Sequence, residues 1–307
     1  MDYQLCGWRV ASDIVIPELL PWMGDDRPVD VHVRLGEPPE ALPQPVFATP
    51  FLEIAADSTS LLKVMAGRYL IRDGQEIIFR PGLGADPQDQ SVFLLGTSLG
   101  LLLHQRGMFP LHASSVVIGE RTVAMCGPSG IGKSTLVAAL AARGHELLAD
   151  DICAIDFGSQ GDRLDVLPAL ARVKLWQDSL ERLLPGEAAV GSAGSHDGPK
   201  GHFRFAQTGL LERGEVTPPL AAIIRLRRVS PARPPGCVRL PPFQAASIVN
   251  AQVYRLEQAR AMGRTETIFQ DCLRIASRVP IYELAYHRDY DQLNDVAQMV
   301  EDIACQD

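Results

Sequence analysis

Apolar and polar positions alternate along the first part of the chain. "DVHVRL" (residues 30–35) repeats with the period of two of a half-buried strand. "GRYLIRDGQEIIFRP" (67–81) holds two apolar runs around Asp73-Gly74, a dipeptide that supplies the positive φ angles of a tight hairpin turn. A small sheet is expected over residues 1–88. The next apolar stretch, "SVFLLGTSLGLLLHQRG" (91–107), is interrupted by polar and glycine positions and closes on His104 and Arg106, so it predicts a buried helix rather than a membrane span.

The pattern then changes. "FPLHASSVVIGERTVAMCG" (109–127) reads as two strands joined at Gly119-Glu120. "TLVAALAARG" (135–144) carries good helix formers and stops at Gly144, a natural C-terminal cap. "HELLADD" and "ICAIDF" resume extended structure, and "AAIIRLRRV" (221–229) is a further strand. Residues 243–277 read as mainly helical, and "VPIYELAY" (279–286) precedes a last helix with Val296, Met299, Val300 and Ile303 on one face. This alternation predicts an α/β unit over residues 89–307, preceded by the small β-rich unit of 1–88. Two stretches, 185–201 and 230–242, read as irregular.

Composition narrows the class. With 307 residues, 46% of them hydrophobic, the chain can bury a large core. A formal charge of −8 argues against a general nucleic-acid binder, which shows a basic domain or stripe. Six cysteines without CxxC or metal-ligand spacing fit reduced thiols better than a disulfide scaffold. The N-terminus lacks a basic start followed by an apolar run, so a cytoplasmic protein without membrane attachment is expected.

The strongest signal is "GPSGIGKS", which matches G-x-x-x-x-G-K-[ST] between an expected strand and an expected helix. Its residues Gly127, Pro128, Ser129, Gly130, Ile131, Gly132, Lys133, Ser134 and the following Thr135 form a candidate cradle for the phosphates of ATP. Glycines let successive backbone N–H groups face one point, and the helix that follows adds its positive N-terminal dipole. Lys133 is placed to neutralise the β- and γ-phosphates, and the Ser134 hydroxyl to ligate Mg²⁺.

Asp150 and Asp151 follow one helix later. Strand neighbours point to opposite faces, but at a strand end the chain can bend so that both reach one pocket. One carboxylate could then hold the metal while the other accepts a proton; a solvated turn, or a metal-only acidic pair, is the bland alternative. His112 opens the strand expected beside the one feeding the cradle, where a hydrogen-bonded structural histidine is the default.

"LHASSVVIGERTVAMCGPSGIGKSTLVAALAARGHELLADDICAI" resembles the catalytic domain of HPr kinase/phosphorylase. The resemblance implies the fold that this family shares with phosphoenolpyruvate carboxykinase, a mixed sheet around a phosphate loop. It implies that the cradle and Lys133 bind phosphates, that Ser134 and Asp150 serve Mg²⁺, that His112 lies in the active site, and that Asp151 is the proton acceptor. Two departures stand out: Thr135 replaces a glutamate typical of the family, and the downstream glycine-rich signature has no clean counterpart. Those differences point away from HPr as substrate and from the reverse reaction.

The whole chain looks more like the divergent HPr-kinase-like proteins that include lasso-peptide precursor kinases, with similar "LLADDICAID", "VKLWQDS" and "VPIYEL" segments. That similarity implies an ATP-dependent serine kinase whose acceptor is a serine at the C-terminal end of a precursor peptide. The 185–201 loop would then shield the reaction, with Lys200 and Arg204 in contact with substrate. Expected partners are a serine-bearing peptide or protein and further copies of the chain in a homo-oligomer, with neither nucleic acid nor membrane; the hexamers of HPr kinases are not carried over by so local a match. A kinase acting on HPr or a small metabolite, and a nonenzymatic nucleotide-responsive protein, are the alternatives.

Overall fold

The computed structural model describes residues 1–158, 163–169, 172–176, 182–183, 191–193, 200–204, 217–287 and 289–306. The chain forms two compact units, one of Met1–Pro110 with Tyr254–Ile268, the other of Leu111–Val253 with Phe269–Asp307.

In the first unit the strands are β1 (Asp2–Leu5), β2 (Trp8–Ser12), β3 (Leu20–Pro21), β4 (Val31–Leu35), β5 (Phe47–Ala48), β6 (Leu52–Ile54), β7 (Ser60–Val64), β8 (Gly67–Arg72) and β9 (Glu76–Pro81). Among the described residues they make one mixed sheet in the order β3-β1-β2-β4-β9-β8-β7-β6-β5. The expected hairpin is present: β8 pairs antiparallel with β9, and Asp73 and Gly74 take φ of 57° and 63°. Cross-strand neighbours Tyr69 and Phe79 stack at 4.6 Å, both fully buried. Both outer strands are two residues long, which leaves little edge for unwanted pairing.

The apolar stretch after residue 86 is helical, as its pattern predicts. Asp86 accepts the amide of Gln88, Pro87 takes the first turn, and a π turn over Leu94–Ser98 joins Pro87–Phe93 to Leu99–Gln105. Leu99, Leu101, Leu102 and Leu103 are buried. Gln105 ties the helix end to the sheet, accepting from the Gly74 amide at 3.0 Å and donating to the Ile71 carbonyl at 3.0 Å.

These bonds displace the division expected after residue 88: the helix packs with the β-rich unit. The segment Tyr254–Ile268 joins the same unit. From it Arg264 donates to the carbonyls of Gly107 and Met108 at 2.9 and 2.7 Å, capping the end of Leu99–Gln105.

The second unit begins at Leu111, the last residue of β10 (Phe109–Leu111). Its central strands are β11 (Ala113–Ile118), β12 (Arg121–Cys126), β13 (Glu146–Ala149), β14 (Cys153–Asp156), β15 (Asp165–Leu167), β16 (Arg172–Trp176), β17 (Gly191–Ala193), β18 (Lys200–Arg204), β19 (Leu220–Arg228), β20 (Gly236–Arg239) and β21 (Ile281–Tyr286). Six of these form a mixed sheet in the order β13-β11-β12-β19-β21-β20. β11 pairs antiparallel with β12, whereas β19 runs parallel to both β12 and β21. The helices Lys133–Ala142 and Leu293–Ala304 share one apolar cluster with this sheet, including Val123, Met125, Leu136, Leu140, Ile224, Leu284, Val296 and Val300.

Two stretches that read as irregular contain short strands. β20 gains its hydrogen bonds at the sheet edge from β21, and β17 gains its own from β18, so pairing overrides local glycine and proline content. Part of the 185–201 loop lies outside the described residues. Among the described residues, no helix is long and apolar enough to cross a membrane.

Candidate active site

β12 ends at buried Cys126, and the chain turns sharply through Gly127, Gly130 and Gly132, whose φ angles are 142°, 75° and 118°. A Cβ at Gly132 would stand 2.7 Å from the Tyr286 hydroxyl, so glycine is required for space as well as for backbone angle. The loop is braced from outside. Tyr286 donates its hydroxyl proton to the Ile131 carbonyl, Arg228 donates to the Gly130 carbonyl, and Gln252 accepts the Gly127 amide at 3.0 Å. Ile131 bonds back to the Pro128 carbonyl at 3.1 Å.

The helix Lys133–Ala142 starts at Gly132 without a side-chain cap, which leaves its first amides and its dipole to face an anion. Lys133 is buried; its Nζ donates to the Gly127 carbonyl at 2.8 Å and lies 3.1 Å from His112 Nε2. Burial holds the Lys133 ammonium below its ordinary pKa, while Asp151 and Asp150 pull it back up.

The aspartates answer the geometric question that adjacent strand residues raise. β13 delivers Asp150 into the interior, where its carboxylate accepts from Ser114 Oγ at 2.5 Å and from Ser134 Oγ at 3.2 and 3.3 Å. Asp151 then takes φ of 73°, a left-handed angle rare for a residue with a side chain. This bend returns the Asp151 side chain to the same pocket. Its carboxylate comes within 3.3 Å of His112 Nδ1, and its carbonyl within 3.0 Å of the same nitrogen.

His112 is therefore held from both sides. Lys133 donates to Nε2, so the proton resides on Nδ1 and is directed at Asp151. Burial first, and then the Lys133 charge, lower the pKa of His112 against the opposing pull of Asp151 and Asp150. Nearby Cys126 and Cys153 are both pushed up to about 12 by burial, which removes thiolate chemistry from the site.

One pocket gathers His112, Ser129, Gly130, Ile131, Gly132, Lys133, Ser134, Thr135, Asp150 and Asp151. Gly127 and Pro128 stand behind it as loop backbone. Lys200 and Arg204 lie on β18, at positions paired with Trp176 and Arg172, and their side chains are outside the described residues.

Residues that motif reading missed also line the pocket: Arg228, Tyr286, Asp289, Tyr290 and Leu293. Arg228 and Tyr286 end β19 and β21, the strands running parallel to β12, and carboxyl ends of parallel strands converge on ligand sites. That rule was the signal available for them.

A buried carboxylate facing a serine hydroxyl is a hard-oxygen donor pair suited to Mg²⁺, which takes only one or two protein carboxylates alongside phosphate oxygens. Asp151, by contrast, is half exposed and lines the same pocket beside His112, a position open to an incoming hydroxyl.

No protein-family model matches the chain. No curated protein matches it either. Among solved structures, the chain is similar to the Hpr(Ser) kinase/phosphatase from Coxiella burnetii, with 15% identity over 63% of this chain and 94% of that one and a TM-score of 0.31, a likeness too slight to carry an argument.

Proposed function

We propose that this protein is an ATP- and Mg²⁺-dependent kinase that transfers the γ-phosphoryl group to a serine hydroxyl of a peptide or protein, with the C-terminal serine of a lasso-peptide precursor as the acceptor. The observation that carries the reading is the left-handed turn at Asp151. It directs two adjacent carboxylates into one pocket beside Lys133 and the uncapped helix, yet gives them different surroundings. A protein that only sensed nucleotide would need the metal carboxylate but no second one held against a histidine.

In this mechanism Lys133 leaves the Gly127 carbonyl to contact the phosphates, and the helix N-terminus adds its dipole. Ser134 and Asp150 would hold Mg²⁺, which supplies neutralising charge to the phosphates when bound. Asp151 accepts the proton of the serine hydroxyl. The serine oxygen forms its bond to the γ-phosphorus as the bond to the bridging oxygen of the leaving diphosphate breaks, and ADP departs. His112 keeps Asp151 oriented through Nδ1–H.

The test is an ATP/Mg²⁺ incubation read by intact mass, with a serine-ended precursor peptide, its Ser→Ala version and HPr as acceptors. One added phosphate on the serine peptide alone is expected. Labelling of HPr alone would replace the peptide reading, and binding of ATP with transfer to none of the three would favour a nucleotide-responsive binding protein.

A further inference from the structure

The pocket has two unlike ends, and the sheet order places them on opposite flanks of the cradle. β12, which feeds the cradle, has β11 and β13 on one side and β19 and β21 on the other. His112 precedes β11, and Asp150 and Asp151 follow β13, so the proton-accepting groups lie on the first flank. Arg228 and Tyr286 end β19 and β21 on the second. Beyond them the lining is Asp289, Tyr290, Leu293 and Val296, with Leu293 and Val296 on the helix Leu293–Ala304.

Beyond Arg228, which is engaged with the Gly130 carbonyl, this second end suits a polyphosphate poorly. Its described lining there carries the Asp289 carboxylate, which accepts the Asp291 amide at 3.0 Å, and is otherwise aromatic and aliphatic. It suits a flat, uncharged ring system carrying N–H or O–H donors. The Tyr290 ring is itself steadied by Arg182, whose guanidinium carbon lies 4.8 Å from the ring centre and which does not line the pocket.

We infer that Tyr290, Leu293 and Val296 form a nucleoside subsite, with Tyr290 as the stacking platform for the base. The inference rests on the nucleotide-dependent reading above and adds a direction to it. In phosphoryl transfer the attacking and leaving oxygens lie roughly in line on opposite sides of the phosphorus. With the proton acceptor on the β11–β13 flank, the leaving nucleotide extends along the β19–β21 flank, and the acceptor approaches over His112 and Asp151. The competing occupant of the aromatic end is an apolar residue of the acceptor peptide.

The experiment is calorimetric titration of the full chain with Mg²⁺-ATP and with Mg²⁺-tripolyphosphate, for wild type, Tyr290→Ala and Tyr290→Phe. Wild type should bind ATP about tenfold or more tightly over tripolyphosphate, a difference of the size that base stacking supplies. Tyr290→Ala should lose that preference while keeping its tripolyphosphate affinity, and Tyr290→Phe should retain it. An unchanged preference in Tyr290→Ala, or equal binding of both ligands by wild type, would overturn the subsite. A raised KM for the peptide with unchanged ATP affinity would assign this end to the acceptor. If tripolyphosphate and ATP both fail to bind wild type, it is the cradle reading that fails, and the subsite with it.

Discussion

The hydroxyl of Ser134 lies 3.2 and 3.3 Å from the two carboxylate oxygens of Asp150, a residue that is itself nearly inaccessible to solvent. In the proposed mechanism this pair, at the mouth of an uncapped helix, would share Mg²⁺. Asp150→Asn should therefore abolish most of the dependence of ATP affinity on Mg²⁺ and lower turnover roughly a hundredfold, the scale of losing one strong electrostatic partner of the transferring group. Titrations with ATP in the presence and absence of Mg²⁺ measure the first effect; an unchanged Mg²⁺ dependence would remove Asp150 from the metal site.

Asp151→Asn separates binding from chemistry. The substitution keeps the shape of the side chain but removes the proton acceptor, so ATP and Mg²⁺ affinity should persist while transfer falls about a hundredfold or more. Lys133→Ala, by contrast, should impair both. Turnover by Asp151→Asn equal to that of wild type would exclude it as the base.

In the first unit, buried His104 carries a different expectation. Its Nε2–H donates to the Tyr254 carbonyl at 2.7 Å, and burial lowers its pKa to about 4 from 6.5. A group depressed on folding binds its proton more readily in the unfolded chain, so its stabilising contribution is complete above pH 6.5 and is lost as pH falls towards 4. Between pH 7 and 5 that loss is about 2 kcal/mol. Chemical denaturation of His104→Gln, which preserves a donor for Tyr254, should show a pH dependence flatter by that amount.

On the surface of the second unit, Glu301 joins the two ends of a helix pair. It accepts from Arg143 Nε and Nη2 at 2.7 and 2.6 Å, and His145 Nε2 lies 2.7 Å away. Arg143 first, then His145, hold its carboxyl down to about 2 against the opposing effect of burial. This contribution is present above about pH 4.5 and is lost as pH falls through about 2. Glu301→Gln should cost about 1 kcal/mol at pH 7, the upper range for a partly exposed pair. The difference from wild type should shrink in high salt, as denaturation in 1 M NaCl would show.

Much of this architecture is legible in the residue pattern because its causes are local. Asp73-Gly74 specifies a hairpin, Gly144 ends a helix, and the G-x-x-x-x-G-K-S spacing needs only a strand before it and a helix after it. The turn at Asp151 is not legible, since its left-handed angle falls on a residue other than glycine and accompanies contacts with His112, and of Asp150 with Ser114, that join residues distant in sequence. Nor does helical periodicity reveal which sheet a helix will cover. The apolar face of residues 91–105 and the helical pattern of 243–277 are both apparent in the sequence, yet that 91–105 and only Tyr254–Ile268 of the later stretch belong to the first unit depends on Arg264, Gln105 and His104 finding partners distant in sequence.

The return of Tyr254–Ile268 to the first unit makes that unit discontinuous in the gene as well as in the chain. A truncation after Pro110 would leave the His104 imidazole without its carbonyl acceptor and the carbonyls of Gly107 and Met108 without their guanidinium. The β-rich unit is thus not a portable module that recombination could add or remove with a single crossover. Exchanging it intact would mean carrying along Tyr254–Ile268 as well, a second and shorter piece from far downstream.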